Sequence, residues 1–146
     1  MMLRQIPIRL SIGVALMGCG GDSSGPQEDP AIAAAGSYSM VTYNGISLPA
    51  FIGANQNLTL EMIGGTEVLR ADHTYEETWV LRETDNPGYG CECVKTNTEV
   101  VDDGTFDLVG TQITFHPSFA DVTYTGEVSN GVLTYTDGPL VLKYQK

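Results

Sequence analysis

The chain predicts an all-β domain, a small antiparallel up-and-down β-barrel, on three observations. From Gly36 onward no segment repeats its apolar residues with a helical period. Apolar and polar residues instead alternate with period two in run after run, as half-buried strands require. Dipeptides that favour tight hairpin turns separate the runs: Asn44-Gly45, Gly64-Gly65, Asp103-Gly104, Asn130-Gly131 and Asp137-Gly138. A meander of roughly eight short strands must hide its edges, and closing into a barrel removes them. A two-sheet β-sandwich is the alternative.

Strands are expected near 37–43, 57–63, 66–71, 74–83, 93–101, 105–109, 111–116, 121–129, 132–136 and 140–145, some of them merging. The alternation is explicit. Leu58, Leu60 and Met62 share a face opposite Asn57, Thr59 and Glu61, and Ile113 and Phe115 oppose Gln112, Thr114 and His116. Val122, Tyr124 and Val128 oppose Thr123, Thr125 and Glu127, and Leu140, Leu142 and Tyr144 oppose Val141, Lys143 and Gln145. The β-branched and aromatic content suits a pleated surface. One longer loop, TDNPGYGCE at 84–92, interrupts the meander. The stretches ADHTYEE (71–77) and DDGTFDL (102–108) share Asp, one residue, Thr and an aromatic. Both read as a turn entering a strand with the aromatic facing inward.

Five stretches in this order are similar to the small lipocalin-like domains of bacterial lipoproteins: GSYSMVTYNGISLPA at 36–50, LTL at 58–60, ADHTYE at 71–76, DGTFDLVGTQITF at 103–115 and TGEVSNGVLTYTDGPLVLKYQK at 125–146. The resemblance spans nearly the whole domain and implies a small antiparallel barrel. The first strand reads Gly36-Ser37-Tyr38 where lipocalins carry G-x-W, and the one tryptophan is Trp79.

The front end has its own grammar. Arg4 and Arg9 flank a short basic region, Leu10 to Met17 is apolar, and Gly18 precedes Cys19. That order describes a secretory signal, and the apolar run falls well short of the ~20 residues a membrane span needs. Leu16-Met17-Gly18-Cys19 resembles the bacterial lipobox, which implies cleavage before Cys19 and a diacylglyceryl group on its sulfur. Residues 1–18 are then a lipoprotein signal peptide, 19–35 a Pro/Gly-rich flexible tether with the lipidated cysteine, and 36–146 the barrel. Two or more acyl chains hold a protein stably to a bilayer. The expected location is the bacterial cell envelope. The outer membrane is favoured because Gly20, not Asp, follows the cysteine.

The formal net charge is −11, and loss of Arg4 and Arg9 takes it to −13. A polyanion is repelled by nucleic acid, which excludes that class of partner. Cys91 and Cys93 form a C-x-C pair in an oxidising compartment and are read as a local disulfide or two idle thiols.

No nucleophile elbow, zincin, P-loop or dinucleotide motif occurs. His73 and His116, the only histidines, lie near strand ends in polar slots and read as surface or turn residues. No catalytic residue, metal site or cofactor is expected, and the protein is read as not an enzyme. The expected function is to hold a small apolar or amphipathic ligand in a cavity lined by Tyr38, Met40, Leu60, Tyr75, Glu77, Trp79, Phe106, Phe115 and Tyr124. The alternative is a structural or interaction protein of the envelope with a filled barrel; no motif names its partner. Glu77 shares the parity of Tyr75, Trp79 and Leu81. Facing inward, it would anchor a cationic or hydroxylated ligand. Exposure at a bulge or strand end is the expected placement, because a buried acid needs a partner or a shifted pKa.

Overall fold

The computed structural model describes residues 28–85 and 93–146. The signal segment, Cys19 and Cys91 lie outside the described residues. A short helix, α1 (Pro30–Ala34), leads into ten strands: β1 (Gly36–Tyr43), β2 (Ile46–Ser47), β3 (Ala50–Ala54), β4 (Leu58–Leu69), β5 (Thr74–Asp85), β6 (Lys95–Val109), β7 (Gln112–Pro117), β8 (Tyr124–Ser129), β9 (Val132–Asp137) and β10 (Leu140–Gln145).

From β4 to β10 each strand pairs with the next, antiparallel. β1 then pairs with β10 on one side and β4 on the other, which closes an eight-stranded up-and-down barrel and sets aside the sandwich. β2 and β3 are additions at the seam. β1 and β4 are joined only from Gly36↔Leu69 to Ser39↔Thr66 and then part company. β2 pairs with Thr42 and Tyr43 of β1, while β3 pairs with β4 from Thr59 to Met62. Each edge left by the splayed strands thus finds a substitute partner, which blunts it.

Three of the five turn dipeptides turn the chain. Asn44-Gly45 and Asn130-Gly131 have positive φ at both residues, the signature of a type I′ hairpin, and Gly138 sits at φ 57° between β9 and β10. The other two expectations fail. Gly64-Gly65 and Asp103-Gly104 lie inside β4 and β6, so the four strands expected around them merge into two. Glycine within a strand marks a bulge or a close approach as well as a turn. A bulge falls between Met62 and Gly64. A Cβ on Gly104 would stand 2.2 Å from the His116 carbonyl oxygen and 2.9 Å from the Tyr75 ring, so the close approach explains this glycine.

Residues 30–34, placed in the tether by the sequence, form α1. Pro30 occupies the first turn, and the Asp29 carboxylate accepts from the Ala31 amide at 2.9 Å. Ala31 and Ala34 are buried, so the helix caps one end of the barrel with small side chains. That end also carries the turns β4–β5, β6–β7 and β8–β9. The opposite end carries the turn after β1 and the β7–β8 and β9–β10 connections, and beyond it β4, β5 and β6 run on as a protruding sheet with β3.

The interior is packed with Tyr75, Phe106, Ile113, Phe115, Leu133, Tyr135, Leu142 and Tyr144. Phe115 meets Tyr75 edge to face at 5.0 Å, and Tyr124, Tyr135 and Tyr144 stack in series across β8, β9 and β10 at 5.3 and 5.9 Å. Each such side chain contributes about 1.5–3 kcal/mol by leaving water. No helix among the described residues is long and apolar enough to cross a membrane.

Candidate functional site

The open end of the barrel holds a cavity of about 280 Å³, close to the lower end of the ~300–1,000 Å³ range of small-molecule sites. Trp79, Val100, Val101, Phe119 and Val122 give it an apolar wall, and Glu77, Asp102, Tyr124, Tyr135 and Asp137 bring polar groups. No lysine, arginine or histidine is among the lining residues.

Strand register builds the polar floor. Tyr38 of β1 pairs with Glu67 of β4, Glu67 with Glu77 of β5, and Glu77 with Asp102 of β6. Directly opposed residues share a face, so these side chains form one row on the barrel's inner surface. Strands in a barrel tilt about 35–45° from its axis, so a row perpendicular to them climbs as it goes round. Tyr38 lies by the helix-capped end and Asp102 at the cavity.

The acids are dressed with phenols. Tyr135 and Tyr144 both donate to Oε1 of Glu77. Tyr75 donates to Oδ2 of Asp102 at 2.9 Å, and Tyr124 donates to the same oxygen. The Trp79 indole donates to the Tyr144 hydroxyl at 3.2 Å. Burial pushes the phenols of Tyr75, Tyr124, Tyr135 and Tyr144 well above their ordinary value, with the neighbouring carboxylates adding to the shift for each. They stay neutral and act as donors.

Two oxygens are left over. Glu67 is 1% exposed, and its Oε1 has no hydrogen-bond partner. Oδ1 of Asp102 is shielded from solvent and equally unpartnered. Burial, then the charges of Glu77 and Asp102, raises the Glu67 carboxyl well above its usual range. Burial also raises Glu77, against the opposing effect of its phenol donors. Glu67, the deepest of the row, is the acid whose charged form burial disfavours most.

The structure divides the residues that the sequence proposed for a cavity. Glu77, Trp79 and Tyr124 line it together. Tyr75 supports it from below through Asp102. Phe106 and Phe115 fill the core. Met40 is buried, with its Cε beside the Gly65 backbone. Leu60 lies on the protruding part of β4, paired with Glu83 and Gly53. Tyr38 points to the capped end, where its hydroxyl donates to the Ala34 carbonyl at 2.6 Å.

The expected exposure of Glu77 is overturned. It sits 2% exposed in mid-strand, because β5 continues unbroken to Asp85 and the two phenols and the indole at its tip supply polar company. Glu67, Asp102 and Tyr135 are not among the cavity residues the sequence points to, Asp102 reading there as one of several acids in a loop. Their signal was parity with Leu69, Phe106 and Leu133, masked for Asp102 by the false turn at Asp103-Gly104.

His73 lies in the β4–β5 turn at φ 65°, bonded to Asp29 at 2.9 Å and to the Phe106 carbonyl at 3.1 Å. His116 bonds Asp107 at 3.0 Å on the outer face. Neither approaches the cavity. Cys93 is exposed; its pairing with Cys91 falls outside the described residues. Comparison with known proteins finds no matching family model, no matching curated protein and no matching solved structure.

Proposed function

We propose that the protein is a non-enzymatic binding module of the bacterial cell envelope, lipid-anchored at Cys19, that takes a small amphipathic molecule into the open end of its barrel. The observation that carries this reading is the cavity itself. It combines a continuous apolar wall with a few fixed polar groups, the composition by which small-molecule sites hold and orient a ligand. The Leu16-Met17-Gly18-Cys19 stretch supports the anchor, and Gly20 favours the outer membrane.

Native mass spectrometry of the protein from its own host tests the pocket. Excess mass that leaves on denaturation, identified in a solvent extract, is the expected result. A clean unliganded mass overturns it. Replacing Cys19 by Ser should move the protein from the membrane fraction to the soluble one; a variant that still sediments with membranes refutes the anchor.

A second reading draws on the exposed rim. Phe119 is 75% exposed, Val101 59% and Val122 57%, and together they offer apolar surface to a protein partner. Crosslinking in the envelope that traps one protein through Phe119 would favour it.

A further inference from the structure

We propose that the ligand is a small organic cation, an ammonium on an aromatic or aliphatic body, with its charge on Asp102 and Glu77. This deepens the reading of the open end as a ligand pocket and rests on it. Four observations converge.

The lining has three carboxylates, Glu77, Asp102 and Asp137, and no base to balance them. An anionic ligand is therefore repelled. Oδ1 of Asp102 is hidden from solvent without a donor, although Oδ2 of the same group takes two phenols. An ammonium in the cavity gains from the field of this incompletely paired carboxylate, and a neutral apolar ligand does not. Behind it Glu67, 1% exposed, faces Glu77 across the strand pair with Oε1 also unpartnered, so the floor is built from acceptors with no cation of its own. Above the floor, Trp79 and Tyr124 offer aromatic surface, which attracts cations, and Val100, Phe119 and Val122 offer an apolar seat for the body of the ligand.

A bare metal ion fits less well. Among the described residues no three carboxyl, imidazole or thiol groups converge within reach of one ion. Calcium and magnesium demand six or more oxygens around them. The phenols already hold part of the carboxylate surface.

The test is calorimetric titration of the full-length chain in detergent with three matched probes: 2-phenylethylammonium, 2-phenylethanol and phenylacetate. The ammonium should bind at least about tenfold tighter than the alcohol, and the carboxylate weakest of all. Asp102→Asn should lower the ammonium affinity about 30-fold and leave the alcohol unchanged. Glu77→Gln serves the same comparison if Asp102→Asn does not fold.

Equal affinity for ammonium and alcohol overturns the cation while leaving the pocket standing. Binding of none of the three overturns both. Calcium displacing the ammonium assigns the floor to a metal and overturns the organic cation.

Discussion

The two ends of the barrel solve the same problem in opposite ways. At the capped end every prominent polar group has a partner: Tyr38 on the Ala34 carbonyl, Lys146 on the Ala35 carbonyl at 2.9 Å, His73 on Asp29 and on the Phe106 carbonyl. Small side chains close the opening. At the open end carboxylates crowd together, Oδ1 of Asp102 goes unpaired at the mouth and Oε1 of Glu67 beneath it, and large apolar side chains meet solvent. Stability alone accounts for the first end. The second is not explained by stability alone, since buried polar groups without partners in a native fold call for a separate account.

The largest expected effect comes from blurring the boundary between the ends. Gly104 lies opposite Tyr75, one strand position above Asp103 and two from Asp102. Gly104→Ala drives a methyl into the His116 carbonyl and the Tyr75 ring. A loss of about 3–5 kcal/mol in urea unfolding is expected.

Next comes the acidic floor. In the unfolded chain Glu67 titrates at its ordinary value near 4.5, and burial raises it in the fold. The folded form therefore holds an extra proton between those two values. Stability is full below the ordinary value and falls as pH climbs through the raised one. Facing Glu67 are Glu77 on β5, Asp102 on β6, Tyr38 on β1, and Tyr135 and Tyr144 on β9 and β10. Glu67→Gln mimics the protonated acid at every pH. It should stabilise the protein at pH 8 by on the order of 1–3 kcal/mol and flatten the decline, read by thermal unfolding from pH 4 to 8. An unchanged slope would show that surface repulsion, not the floor, sets the pH dependence.

The smallest effect belongs to the capped end. The bond to Asp29, then the Phe106 carbonyl, raises the His73 imidazolium above its usual range. Its contribution is present at low pH and is lost as pH rises through the raised value. Asp29→Ala removes both this contact and the helix cap. Amide hydrogen exchange at residues 31–35 should quicken, while the rest of the barrel keeps its protection.

Much of this barrel was legible because period-two alternation survives in strands such as β7 and β9, whose burial alternates residue by residue along the barrel wall. Merging the split runs at Gly64-Gly65 and Asp103-Gly104 gives eight, the number that closes. Those two glycine pairs misled because a turn and a close strand approach ask for the same missing Cβ. β2 was invisible because two residues are too few to alternate and β3 because AFIGA has no polar residue to alternate with, and their partners are edges that exist only after β1 and β4 part. At the site, the parity of Glu77 was readable. What no single strand could reveal is that Glu67, Glu77 and Asp102 come abreast, since that depends on two independent registers.

The helix at the capped end also sets a distance. The chain enters the barrel there, at Asp29 and Pro30. Ten peptide units from Cys19 to Asp29 reach at most about 35 Å, whatever path they take. An anchor at Cys19 would therefore keep the capped end within about 35 Å of the bilayer.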